Sequence, residues 1–503
     1  MVLRALARLA AASSVACTVL GVVVGCGGTT TDGPGDAGSG GDHGGSGSES
    51  GASSGASSGG PSVGEAGPTT PPPIPTPVDK VDLLFDIDNS ASMADKQQYL
   101  AQAIPDLIDR LVRPNCLDGN GNPVGVTADT SGHCTMGTAE FAPVHDLHVG
   151  IVSSSLGPRL GGPAICPSTG SLSQVTGPSG VPMDRHNDDQ GHLLNRAGDP
   201  SNPANYTTTA LPDAAPSNFL TWFPAAASSG DAGAPATGPV SIGDPVVLQA
   251  DFQKLVTGVQ QFGCGIESQL ESWYRFLVQP DPYASLAITS NAASWVGFDT
   301  VLLAQRADFL RPDSLVAVIV LSDENDSEVD VRSFGGSGWN FMSPTFQPPR
   351  GTAICATNPN DPNCTSCSFT GHQNDPSCML GHYTAPTDWG FDLNLRHVHE
   401  QQKYGVSVQF PIQRYLVGLT SPTVPNRDDE YPASAVSYQG LTNRSCTNPL
   451  FAAKLPSPAV GSSTLSWQPT PEELCKLPRS GRPANFIYYS HIGGVPHQLL
   501  QQD

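Results

Sequence analysis

Positive charge is scarce in this chain: 24 Lys and Arg stand against 46 Asp and Glu in 503 residues, a formal charge of −22. A surface of that sign repels phosphate, which argues against nucleic acid and anionic membrane as partners and leaves divalent cations and basic surfaces open. Solubility outside a cell accounts for the same charge equally well. Long apolar runs are nearly absent too, since past the first two dozen residues none is long enough to cross a bilayer. Signatures of catalysis are also missing. There is no strand-to-helix nucleophile elbow, no phosphate loop, no HExxH helix and no ordered Ser/His/Asp set.

What is present begins with an export signal. Arg4 and Arg8 precede an apolar run from Leu9 to Val24 that closes on Val23-Val24-Gly25-Cys26, a basic head, a short apolar middle and a small residue at the cut. Residues 1–25 therefore read as a signal peptide, and losing Arg4 and Arg8 with it takes the charge to −24. Cys26 at the cut resembles the lipobox cysteine of bacterial lipoproteins, which implies a lipidated thiol. Gly27 in place of a retention aspartate implies, by the same resemblance, the outer membrane. An ordinary cleaved signal or an uncleaved anchor helix are the alternatives. Residues 26–78 are Gly, Ser, Asp, Thr and Pro with almost nothing to bury, so they read as a tether, stiffer from Thr69 to Pro77.

Twelve cysteines include Cys17 in the signal and Cys26 at the lipid position. The remaining Cys116, Cys134, Cys166, Cys264, Cys355, Cys364, Cys367, Cys378, Cys446 and Cys475 form an even set that, in an exported chain, reads as up to five disulfides. Cys364-x-x-Cys367 also suits a zinc or redox pair, but it lacks a matching second pair, so bridges are the preferred reading.

The folded body is organised around Val81 to Met93, VDLLFDIDNSASM. Val81, Leu83, Leu84, Phe85 and Ile87 make a near-continuous apolar strand, the pattern of a parallel strand covered on both faces. It breaks into Asp88, Asn89, Ser90, Ala91 and Ser92, placing a carboxylate and two hydroxyls at a strand's carboxyl end, where open α/β sheets hold ligands. Oxygen donors of this kind suit a hard cation, Mg²⁺ or Ca²⁺. Helical spacing follows at Asp95–Val112 with Pro105 inside, at Ala250–Phe262, at Ser268–Val278 and at Thr300–Phe309. Further strands are expected at Asp146–Ser153, at Leu315–Leu321 and at Asn485–Ile492, with an edge strand within Ser407–Leu419 and a short helical end at His497–Gln502. The strand Leu315–Leu321 runs directly into Ser322-Asp323-Glu324.

The string Asp88-x-Ser90-x-Ser92 at the end of an apolar strand, joined by a second apolar strand ending in Asp323, resembles the metal-ion-dependent adhesion site of von Willebrand factor A domains. The resemblance implies that Asp88, Ser90, Ser92 and Asp323 hold a divalent ion and that the ion takes a carboxylate from a protein or matrix ligand. In that family a threonine on an intervening loop reaches the ion. The corresponding stretch here, Gly263-Cys264-Gly265-Ile266-Glu267, has none. Glu267 in its place favours a calcium-like site, Ser268 supplies a hydroxyl instead, or neither binds and Glu267 simply begins the next helix.

Other polar clusters have plainer readings. Asp118, Asn120 and Asn122 look like a turn, since no glutamate follows at EF-hand spacing. Asp326, Glu328 and Asp330 read as a solvated acidic loop or a separate calcium site, and Arg185 to Asp189 with His192 as polar loop. The region of His372, His382, His397, His399 and Glu400 is the one histidine-dense stretch, and a zinc or hydrolase reading rests on it. The expectation is an α/β protein with a doubly wound, mostly parallel sheet over residues 79–503, carrying disulfide-rich insertions at about 114–145, 157–245, 331–400 and 420–482. Its expected work is cation-supported binding at the cell surface, membrane contact being through the lipid anchor alone. A hydrolase, or a surface protein with a decayed metal site, are the competing classes.

Overall fold

The computed structural model describes residues 78, 80–90, 92–161, 174–176, 182–184, 188–202, 205, 209–224, 239–343, 345–384, 399–432, 435–459 and 461–493. Cys26, Cys166, His186, His397 and the expected C-terminal helical turn lie outside the described residues.

Five strands build one sheet: β1 (Lys80–Ile87), β2 (Asp146–Ser153), β3 (Phe219–Trp222), β4 (Leu315–Leu321) and β5 (Ile487–Ile492). Their order across the sheet is β3-β2-β1-β4-β5, with β3 antiparallel to β2 and every other pairing parallel. This is the doubly wound order, in which the chain runs outward on one side of β1 and then crosses to the other. The switch point falls between β1 and β4, so the crevice outside their carboxyl ends is where this topology opens a site.

Both faces of the sheet are covered, which is why its strands lack clean alternation. On one face Phe85 packs its ring 4.9 Å from Phe252 of α2 (Pro245–Val259), which itself lies against α1 (Ala94–Val112). On the other, Leu84, Val316, Val318 and Val320 meet Trp273, Phe276 and Leu277 of α3 (Gln269–Leu277) and Leu302 and Phe309 of α4 (Thr300–Phe309). Leu84 and Phe85 are wholly buried, and each such side chain contributes about 1.5–3 kcal/mol to stability.

Three expectations are corrected. The stretch 157–245, read as surface insertion, contributes β3, whose four residues are all buried against β2; its short apolar run is masked in sequence by the Gly/Pro-rich residues around it. The edge strand expected within Ser407–Leu419 is instead a helix, α5 (Ile412–Thr420), with Pro411 at its N-cap. Proline has no amide hydrogen to offer a ladder but fits a helix start, and Arg414, Tyr415 and Gly418 then fall on one buried face. The run Asp326 to Asp330 is not solvated: Glu328 and Asp330 are 3% and 1% exposed and partnered within the protein.

Disulfides tie the irregular segments. Cys116–Cys134, Cys355–Cys364, Cys367–Cys378 and Cys446–Cys475 are bridged, and Cys264 is disulfide-bonded as well. The Cys364-x-x-Cys367 pair thus belongs to two different bridges, which leaves neither thiol for zinc. Among the described residues no helix is long and apolar enough to cross a membrane.

Candidate functional site

The loop after β1 meets the loop after β4 at the switch point. The Asp88 amide donates to the Leu321 carbonyl at 2.9 Å, extending the β1–β4 pairing by one bond before the strands part. Beyond it the side chains converge. Ser90 Oγ lies 3.3 Å from Ser92 Oγ, and Ser92 Oγ donates to Asp323 Oδ1 at 2.9 Å. Residues 231 positions apart are therefore in direct contact, as the sequence reading required.

Asp88 is fully buried, and four donors satisfy it. Its Oδ1 accepts from the Ser90 amide (2.9 Å) and Ser154 Oγ (3.1 Å), its Oδ2 from Ser322 Oγ (2.6 Å) and Gln269 Nε2 (3.2 Å). The loop is braced from beneath: Gln97 Nε2 donates to the Asp88 and Gln260 carbonyls at 2.9 and 2.6 Å. Ser155 Oγ donates to Asn89 Oδ1 at 2.7 Å. The Gly263 amide donates to the Asn89 carbonyl at 2.6 Å, and a Cβ on Gly263 would stand 2.3 Å from Asn89 Oδ1. Glycine is required there by close approach.

Glu267 and Ser268 sit on the neighbouring loop but turn to other partners. Glu267 Oε2 accepts from Ser327 Oγ at 3.1 Å, and Ser268 Oγ donates to Glu328. Burial, with the charges of Glu324 and Asp88 adding to it, pushes the Glu267 carboxyl up to about 7. The residue from this loop that reaches Asp88 is Gln269, at the first position of α3; its Nε2 also donates to Ser322 Oγ at 2.9 Å, while its buried Oε1 has no hydrogen-bond partner among the described residues. Nor does Glu267 cap α3. Asp326 Oδ2 does that, accepting from the Leu270 amide at 2.8 Å.

A cation already stands at the rim. Lys96, in the first turn of α1, places its Nζ 3.1 Å from Asp323 Oδ2, 3.0 Å from Asp95 Oδ1 and 2.8 Å from the Ser92 carbonyl. Beneath the loop, Asp86 is buried on β1, and among the described residues neither of its oxygens reaches a hydrogen-bond partner at normal geometry. Burial first, then the charges of Asp88 and Asp326, raise its carboxyl well above the ordinary carboxylate range, with the Trp273 backbone offsetting a little.

The donors offered at the rim, two hydroxyls and the Asp323 carboxylate, are all oxygen, and an orphaned amide oxygen on Gln269 lies beside Asp88. That set fits a hard divalent ion. Among the described residues no group of three or more His, Cys, Asp or Glu is arranged to hold a metal, a grouping that a hydroxyl-based site does not need. Sequence reasoning missed Gln269, Lys96 and the bracing hydroxyls Ser154 and Ser155. The run Ser153-Ser154-Ser155, ending β2 beside β1, was the available signal for the last two.

Two of the other polar clusters are held by partners within the protein. His192 Nε2 meets Asp299 Oδ2 at 2.7 Å, and Asp299 also pairs with Arg275 at 2.9 Å while capping α4. Asp189 pairs with Arg196 and accepts from Ser153 Oγ at 2.6 Å. Asp118 Oδ1 accepts the amides of Asn120 and Asn122 at 2.8 and 2.9 Å, an Asx turn. His372 is half-buried and His382 exposed, and His399 occupies the left-handed region (φ 56°). Comparison of the chain with known protein families, with curated proteins and with solved structures finds no match.

Proposed function

We propose that the tips of β1 and β4 bind one divalent cation, Mg²⁺ or Ca²⁺, and that the protein uses it to hold an acidic protein or matrix ligand at the cell surface. Ser90, Ser92 and Asp323 would contact the ion, with Asp88 bracing the loop through its amide and hydroxyl partners. The single observation carrying this is the 2.9 Å contact between Ser92 and Asp323, which assembles an all-oxygen donor set at the switch point of the sheet. The von Willebrand A resemblance of the same residues adds to it. Lipidation at Cys26 and an outer-membrane location complete the proposal.

Hydroxyl donors carry no charge, so an ion held by them and one carboxylate stays net positive and attracts a carboxylate from outside. Glu267 is turned to Ser327 and is not among those donors. Mn²⁺ as a probe tests the reading in the full chain. Expected is one bound Mn²⁺ per chain whose water-proton relaxation falls when a short Glu-bearing peptide is added. No bound Mn²⁺, or a bound ion with no exchangeable water, overturns it.

A further inference from the structure

We infer that Lys96 is a resident counter-cation for this site, competing with the divalent ion for Asp323 and so setting how much metal the protein requires before it binds ligand. The inference rests on the cation reading above and adds to it the residue that tunes the site. Asp323 has two carboxylate oxygens, and both are engaged: Oδ1 by the Ser92 hydroxyl at 2.9 Å, Oδ2 by the Lys96 ammonium at 3.1 Å. The same ammonium is held at 2.8 Å by the Ser92 carbonyl, on the loop that carries both hydroxyl donors. Three oxygens from two loops and a helix turn thus enclose one positive charge, and two of them belong to residues of the proposed metal site.

Its place in the chain makes it a tethered competitor. Lys96 lies four residues after Ser92, and its side chain is 38% exposed, so the ammonium can swing to solvent without disturbing the buried loop. A divalent ion arriving at Asp323 must therefore displace the ammonium or bind beside a like charge. At contact distances in a water-like medium, a unit charge next to a divalent ion weakens binding by about tenfold. Asp95, the third oxygen, is 63% exposed and outside the donor set; it gives the displaced ammonium a place to rest.

Isothermal titration of MgCl₂ into the full chain tests this with three proteins: wild type, Lys96→Met and Lys96→Arg. Expected is roughly tenfold tighter Mg²⁺ binding by Lys96→Met, affinity near wild type for Lys96→Arg, and a gap that narrows as NaCl is raised. Far-ultraviolet circular dichroism of each protein verifies the fold. Weaker or unchanged binding by Lys96→Met, with wild type binding Mg²⁺, overturns the inference and leaves the cation reading standing. Binding by none of the three overturns both.

Discussion

Glu267→Gln is the substitution whose effect is best defined by the structure. Among the described residues the carboxyl has no cationic partner; Glu267 is 7% exposed and sits at about 7 in the fold, against an ordinary value near 4.5. A group whose folded value is raised destabilises the fold once the unfolded chain has lost the proton. The penalty is nil below about 4.5, grows between 4.5 and 7, and is complete above 7. About 2.5 units at roughly 1.36 kcal/mol each gives a full penalty on the order of 3 kcal/mol. A glutamine keeps the shape and cannot ionise, while weakening the Ser327 hydrogen bond by about 1 kcal/mol. The net expectation is that Glu267→Gln is about 2 kcal/mol more stable than wild type at pH 8 and equal or slightly less stable at pH 4.5. Urea unfolding with disulfides intact, in EDTA, at steps from pH 4.5 to 8 reads this out. A difference that stays flat across that window, or that favours wild type at pH 8, refutes the burial argument for Glu267.

Two further substitutions test the framework. Arg414 is wholly buried between Glu271 and Glu430, and Arg414→Met leaves Glu271 without its cation while Glu430 keeps Arg332; a loss of about 3 kcal/mol in urea unfolding is expected. Gly263→Ala forces the loop away from Asn89 Oδ1 and should cost about 1–3 kcal/mol, and a change of less than a few tenths would show that the loop after β1 is not braced as described.

Much of the sheet was legible because buried parallel strands announce themselves as apolar runs. β2 and β4 match the sequence reading residue for residue, and β1 to within a residue. The convergence of Ser92 and Asp323 was legible for a related reason: each lies just past such a run, and the topology brings strand ends together. What escaped was set by tertiary contact. α5 carries β-prone Ile412 and Val417, yet Arg414 finds Glu271 and Glu430 only in helical geometry. The partner of Glu267, Ser327, lies sixty residues on and left no local signal. Gln269 has no local signal at all, since its partners Asp88 and Ser322 come from two distant strands.

Equilibrium dialysis of the full chain against Mg²⁺ and Ca²⁺, compared with Ser90→Ala/Ser92→Ala, addresses the central claim most directly. The account predicts one bound ion per wild-type chain and at least about tenfold weaker binding by the double variant, with an unchanged circular dichroism spectrum. Wild type that binds neither ion, or a double variant that binds as tightly as wild type, would contradict it.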